Sequence, residues 1–257
     1  MKLLVAHPAI TVLERHLLLY RRLWRASVFS LFVVPALFLL SMGFGVGSFV
    51  PRIDNTDYSM WIVPGLLALL AFQTAINEST MGIYTDFEWI GAFHVMRHTR
   101  VRIFDMIVGW LLYVLVVVEF ATAAFMVVTW AFGVPQPALA VLCAPFVCAL
   151  LAVSVAAPTT AFAATVRDEG HFHLLTQFGV MPAIMVSGVF FPAEQLPALL
   201  RPLAWISPLW HATEVNRAAA LDTLTVWPLT VHIGVLLAWA VVGFVWARVA
   251  FHRRLAH

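Results

Sequence analysis

Six stretches of this chain are long and apolar enough to cross a bilayer, and nothing constrains its fold more. A hydrocarbon core of about 30 Å takes roughly 20 residues of helix. Val28 to Phe49, Tyr58 to Asn77, Phe104 to Phe132, Ala138 to Val166, Phe172 to Phe191 and Val226 to Ala250 all reach that length with two formal charges or fewer each. The whole chain of 257 residues is 62% hydrophobic and 11% charged, against about 25% charged in soluble domains. Its polar groups are too few to cover its apolar surface, so lipid is the solvent in which it folds. The expected fold class is an all-α polytopic membrane protein with six transmembrane helices in a single domain over residues 1–257. Prolines inside the runs (Pro35, Pro64, Pro145, Pro158, Pro182) predict kinks, tolerated where neighbouring helices satisfy the freed carbonyls.

The fixed positive charges set the orientation. Twelve lie on one side of the expected bilayer: Lys2, Arg15, Arg21, Arg22, Arg25, Arg97, Arg100, Arg102, Arg167, Arg248, Arg253 and Arg254. Three (Arg52, Arg201, Arg217) lie on the other. The positive-inside rule puts the richer side, and with it both termini, in the cytoplasm. An even number of spans requires the same.

That orientation places residues 187–217 outside, after the fifth run. The segment carries four prolines and four charges, yet stays rich in Leu and Trp. It is too broken for a span and too apolar for a solvated linker. Short amphipathic pieces folded onto the outer face, over 192–225, are the expectation.

Two further features fall on the cytoplasmic side. Over 8–25, at 100° per residue, Glu14, Arg15, Arg21, Arg22 and Arg25 share one arc. Ile10, Leu13, Leu17, Leu19, Tyr20, Leu23 and Trp24 share the other, and His16 lands on the apolar side. This predicts an amphipathic helix lying in the interface, either a topology anchor or a docking element. The connection over 78–103 is the longest on that side. It gathers Asp86, Phe87, Glu88, Trp89, Phe93, His94 and Arg97, with apolar residues at helical spacing over Tyr84 to Met96. A short helix offered to a cytoplasmic partner is the expectation.

Catalytic chemistry is not expected. A phosphate-binding loop needs a lysine after its second glycine, and Lys2 is the chain's one lysine. No zinc-protease or nucleophile-elbow pattern occurs. His171 and His173, beside Asp168 and Glu169, have spacing suited to headgroup contact rather than a metal, so no metal site is assigned. Cys143 and Cys148 point to different helix faces and pair with nothing. Leu3 to Ala6 is too short for the core of a signal peptide. Gln73, Asn77 and Glu119 are polar groups inside the runs. Such groups face a bundle interior or a cavity, which leaves interhelical hydrogen bonding or cargo contact open for Glu119. The runs show no internal repeat of the secondary-carrier kind.

Taken with the helix before the first run and the long loop after the second, Ser187-Gly188-Val189-Phe190-Phe191-Pro192 carries a resemblance. It continues through Leu196-Pro197, Leu200 and Pro208-Leu209-Trp210-His211-Ala212 with Arg217. Over nearly its whole length the chain resembles the ABC-2 type permeases, the membrane subunits of one class of ABC exporter. Within them it looks closest to the nodulation-factor (lipo-oligosaccharide) and daunorubicin-resistance groups. The C-terminal runs His232-Ile233-Gly234-Val235-Leu236 and Arg253-Arg254-Leu255 strengthen that similarity.

The resemblance implies two six-span subunits, as a homodimer or with a paralogue, in a bacterial inner membrane. Each docks a cytoplasmic ABC ATPase that binds the ATP and magnesium; no cofactor is implied in this chain, and no nucleic acid. Docking would use the segment Asp86 to Met96, with Asp86, Phe87, Glu88, Trp89, Phe93 and Arg97, and the helix carrying Arg15 to Arg25. Asp86 and Glu88 stand where the family usually has a Glu-Arg pair. Residues 192–225 would form a pair of short re-entrant helices capping the outer mouth, and Ser187, Gly188, Phe190, Phe191, Pro192, Trp205 and Trp210 would form an outer gate. The expected function is export of an amphiphile: a drug-like molecule, glycolipid or lipo-oligosaccharide. Polysaccharide export and an ion-coupled carrier are the alternatives, and from other classes a membrane scaffold or an intramembrane enzyme.

Overall fold

The computed structural model describes residues 7–22, 32–50, 52–53 and 56–256. Helix α1 (Pro8–Arg22) is followed by α2 (Phe32–Ser48) and a small antiparallel hairpin, Arg52–Ile53 with Thr56–Asp57. Helix α3 runs from Tyr58 to Trp89, and the short α4 (Ala92–Arg97) precedes α5 (Ile103–Ala131) and α6 (Ala138–Thr165). Residues 170–186 form one rod: α7 (Gly170–Leu174), a wide turn of π type (Leu175–Val180) and α8 (Met181–Val186). Helices α9 (Arg201–Ile206), α10 (Pro208–Leu221) and α11 (Leu229–Leu255) complete the chain.

Four helices (α3, α5, α6 and α11) have membrane-spanning length and composition, and α2 is a shorter apolar helix. The first expected run begins outside the described residues, at 28–31, and its helix ends at Ser48. The fifth expected run differs in a more telling way. Its helix stops at Val186, and Ser187 to Phe191 leave it as a turn, because Gly188 takes φ +71 and the Ser187 hydroxyl donates back to the Ile184 carbonyl at 2.7 Å. The second run extends beyond Asn77 through two π-type turns, Glu78–Gly82 and Thr85–Trp89. Much of the segment expected as a loop is therefore the end of α3.

Element boundaries follow local chemistry. Helix α5 is capped where the Asp105 carboxylate accepts the Arg102 N–H at 3.0 Å. Helices α9 and α10 each begin with a proline in the first turn (Pro202, Pro208), where a missing N–H costs nothing. The break between α3 and α4 falls at Gly91, whose φ of +67 is open to glycine and strained for other residues.

Packing depends on close approach. A Cβ at Gly243 of α11 would stand 2.3 Å from Pro158 Cδ and 2.5 Å from Pro158 N, so only glycine lets α11 cross α6 there. The Ser154 hydroxyl of α6 donates to the Leu236 carbonyl of α11 at 2.8 Å in the same seam. Gly109 of α5 performs the same service for α1: a Cβ there would stand 2.6 Å from both the Ala9 carbonyl oxygen and Val12 Cβ. The amphipathic helix is thus packed onto α5, with Ala9, Val12 and His16 buried.

Candidate functional site

The end of the bundle that carries α4 is a tightly joined node. Asp86, on the last turns of α3, accepts a bidentate pair of hydrogen bonds from Arg15 of α1, at 2.8 Å (Nη1) and 2.9 Å (Nη2). His16 lies alongside, its Nε2 3.5 Å from the same carboxylate and its ring edge-on to Trp110 at 4.6 Å. Burial pulls the His16 pKa down to about 4; Asp86 draws it up and Arg15 adds a smaller push down. The imidazole is therefore neutral at pH 7. The Tyr113 hydroxyl donates to Glu78 at 2.7 Å beneath it.

On the other side of α3, Glu88 pairs with Arg254 of α11. The Arg254 guanidinium also donates to the Ala164 carbonyl at 2.9 Å and lies 4.7 Å over the Phe87 ring. Phe87, Phe93 and Phe251 form a buried triangle with ring centroids 4.7 to 5.1 Å apart.

This arrangement divides the residues expected at a docking surface. Asp86, Phe87 and Phe93 face inward and are buried, and Arg15 is spent on Asp86. Glu88 is bound to Arg254, whereas Trp89, 62% exposed, and Arg97 face outward with Ile90 and with Val95, 66% exposed. Glu14 and Arg21 are exposed on α1; Arg22 ends that helix, and Arg25 lies outside the described residues.

The opposite end is closed by the turn 187–192 and by α9 and α10. Arg217 of α10 donates to the Gly188 carbonyl at 2.8 Å, lies 3.8 Å over the Trp61 ring and pairs with Glu214 at 3.3 Å. The Tyr58 hydroxyl donates to the Phe190 carbonyl at 3.3 Å. Ser187, Gly188 and Trp210 are buried, Phe190, Phe191 and Pro192 half-buried, and Trp205 exposed. Trp210 is thus a packing residue, against Trp227 at 5.2 Å, and not part of an open aromatic surface.

His211 and His232 are buried with their Nδ1 atoms 2.9 Å apart, and His211 Nε2 lies 2.8 Å from the Trp205 carbonyl. A carbonyl only accepts, so His211 donates from Nε2, and its Nδ1 accepts the Nδ1–H of His232. Two neutral rings therefore bolt α10 to α11.

Within the bundle, Glu119 is half-buried, and its Oε1 is enclosed without a hydrogen-bond partner. Gln73 is half-buried beside α2, and Asn77 is exposed. A groove of about 440 Å³ opens between α3, α6, α8, α9 and α11, walled by Phe72, Phe162, Phe178, Val186, Leu203 and Trp239. Its walls are almost wholly apolar. No group of three or more His, Cys, Asp or Glu side chains that could hold a metal occurs among the described residues.

The sequence reading missed Arg254 and the His211–His232 pair. Both were visible only as charges or rings near helix ends, with nothing local to indicate a partner.

The chain is thus a multi-pass helical bundle with one end braced by ion pairs and the other closed by short, proline-started helices. Residues 9–221 match the ABC-2 type transporter family, and the chain belongs to it. It is similar to nodulation protein J of Rhizobium meliloti (strain 1021), 26% identical over 246 residues, which covers 96% of this chain and 93% of that protein. The Bradyrhizobium diazoefficiens nodulation protein J is 24% identical over 250 residues, 97% and 95% of the two chains. A probable multidrug ABC transporter permease of Escherichia coli (strain K12), YbhR, is 24% identical over 185 residues, 69% of this chain and 50% of that one.

Proposed function

We propose that this chain is the membrane-spanning permease of an ABC exporter that moves an amphiphile outward, a drug-like molecule, glycolipid or lipo-oligosaccharide, using ATP hydrolysed by a separate ATPase. In this reading both termini are cytoplasmic, in a bacterial inner membrane, and two permease copies flank the path. The observation that carries it is the apex at Gly91. Trp89, Ile90 and Val95 stand exposed there, on a segment whose inner face is fixed to α1 through Asp86 and to α11 through Glu88. An apolar apex on a rigid mount suits a partner that pushes. The related nodulation and multidrug proteins, and the apolar groove of about 440 Å³, favour a cargo with an apolar portion.

Closure of the ATPases would press on the apex, and the two ion pairs would carry the displacement into α1 and α11. Cargo would leave past Phe190, Phe191 and Trp205.

The test is co-purification and transport with the cognate ATPase. Trp89→Ala combined with Ile90→Ser and Val95→Asp removes the exposed apolar surface and leaves the buried triangle intact. It should abolish ATPase capture and transport while the unfolding midpoint of the permease stays unchanged. Undiminished capture and transport would refute the docking surface. Transport that survives ATP depletion but collapses with the proton gradient would replace the exporter by an ion-coupled carrier.

A further inference from the structure

We infer that the α4 end of the bundle holds the phosphate of an anionic phospholipid in a basic pocket between α5, α11 and the start of α1. The pocket has a volume of about 940 Å³ and is lined by His7, Arg100, Arg102, Phe104, Arg248 and His252, among others. Its three arginines are exposed, and none has a carboxylate partner among the described residues. The one acid in the lining, Asp105, is buried and already committed. It accepts the Arg102 N–H at 3.0 Å, with His7 Nδ1 3.9 Å away. The lining therefore sets three arginines against one buried carboxylate and presents a surplus of positive charge.

Depth distinguishes a lipid from a soluble anion. Arg102 directly precedes Ile103, where the apolar run of α5 begins, and Arg248 lies two turns before the end of α11 at Leu255. The guanidinium groups thus stand where hydrocarbon gives way to headgroups, with their stems along apolar surface. Arg248 and His252, four residues apart on α11, share a face. Arg100 and Arg102 approach from the loop before α5. Phe104, exposed, meets Phe244 of α11 edge-on at 5.6 Å, and supplies an apolar wall for the first carbons of an acyl chain. Arginine forks match phosphate oxygens two at a time, and basic pockets between spans are a known geometry for acidic headgroups.

A second basic pocket of about 340 Å³ lies beyond α11, with Arg167, Arg253 and Arg254. It is the weaker candidate, because Arg254 is taken by Glu88 and by the Ala164 carbonyl.

The experiment is native mass spectrometry of the purified full chain. Cardiolipin or phosphatidylglycerol is compared with phosphatidylcholine of the same acyl chains, with inorganic phosphate as competitor. The anionic lipid should be retained in preference. Arg100→Gln and Arg248→Gln should each weaken it about fivefold, the scale for one arginine near an anionic headgroup, and Arg52→Gln at the opposite end should not. Equal retention of phosphatidylcholine would show that headgroup charge is not read, and equal weakening by Arg52→Gln would reduce the effect to general charge; either result would overturn the site. Displacement by millimolar phosphate would make it a small-anion site and overturn the lipid assignment. Each variant is read only in protein that keeps the wild-type unfolding midpoint.

Discussion

Replacing Arg15 by methionine tests the node at the α4 end most directly. The Asp86 side chain is 4% exposed and holds two charge-assisted hydrogen bonds from Arg15. Removing one partner of a buried ion pair costs about 3–5 kcal/mol, because the other charge stays buried and unpaired. Arg15 keeps 27% of its side chain in contact with solvent, so the low end of that range applies, about 3 kcal/mol. Asp86→Asn removes the charge but keeps an acceptor and should cost about 2 kcal/mol. The double variant leaves no orphan charge. It should be nearer the worse single variant than the sum, a coupling of about 2 kcal/mol. Reversible unfolding in mixed micelles with rising SDS, followed by tryptophan fluorescence, gives all three values. Trp110, against His16 at 4.6 Å, is a local reporter. A coupling below about 0.5 kcal/mol would refute the pair as a structural fastening.

The same variant makes a pH prediction of fixed sign. His16 has a pKa of about 4 in the fold against 6.5 in the unfolded chain. Above pH 6.5 both states are neutral there, and its contribution to stability is whole. As pH falls from 6.5 toward about 4, the unfolded chain takes up the proton first. Stability then drops by about 1.4 kcal/mol for each unit of pKa difference, about 3 kcal/mol across the window. Arg15→Met removes a positive neighbour and frees the Asp86 charge for His16, which raises its folded pKa and shrinks the acid loss. A steeper acid loss in Arg15→Met than in the wild type would contradict this electrostatic account.

Gly243→Ala should cost about 2–3 kcal/mol, because the new Cβ meets Pro158 N at 2.5 Å and that backbone has nowhere to go; Gly234→Ala, with open space around it, is the matched control in the same unfolding titration. Arg217→Leu orphans the Gly188 carbonyl and leaves the half-buried Glu214 without its ion-pair partner, so residues 187–200 should become readily cleaved by added protease. Burial already raises the Glu214 pKa, and loss of the guanidinium raises it further. Arg217→Lys restores the charge but not the fork and should rescue only partly. His211, held neutral by burial that lowers its pKa, should make the α10 end loosen as pH falls below about 6.5. His211→Gln should remove that acid response in the same proteolysis assay, and an unchanged response would assign it elsewhere.

Much of the fold was legible because lipid makes hydrophobicity the dominant variable. The runs ending in α5, α6 and α11 carry their boundaries in Arg102, Pro137 and Pro228. The wheel of α1 put His16 on the side that is buried, but it put Ile10 and Leu19 there too, and both are exposed, whereas Arg15 turns inward to Asp86. What it could not give was the partner. Asp86 lies 71 residues away, and Arg254 meets Glu88 across 166; no local pattern encodes such pairings. The aromatic spacing over 84–96 likewise announced a structured element but not which face turned inward. Phe87 and Phe93 went to the core because Phe251, near the end of the chain, completes their triangle. Trp89 meets only the edge of Tyr84, at 6.1 Å, among the described rings and stayed exposed.

The spacing of Asp86 and Glu88 explains why two acids occur together in a segment otherwise rich in aromatics. Two positions apart on a helical turn means roughly half a revolution, so the pair faces opposite sides of α3. One side meets Arg15 of α1 and the other Arg254 of α11. The end of α3 is therefore clamped between α1 and α11, two helices that also share α5 as a neighbour. Helix α1 is seated on α5 at Gly109, and α11 on α6 at Gly243. A force on the apex at Trp89 and Ile90 consequently reaches four helices, through the two ion pairs and through the direct packing of α3 on α5 and α6. At 1.5 Å per residue α3 is about 48 Å long. Its far end lies at Tyr58 and Trp61, under the turn that Arg217 holds. Displacement of the clamped end is thus delivered by one continuous rod to the Gly188 turn. Cutting Arg15–Asp86 alone should weaken that delivery without loosening the turn itself, whereas Arg217→Leu should loosen the turn with the clamp intact.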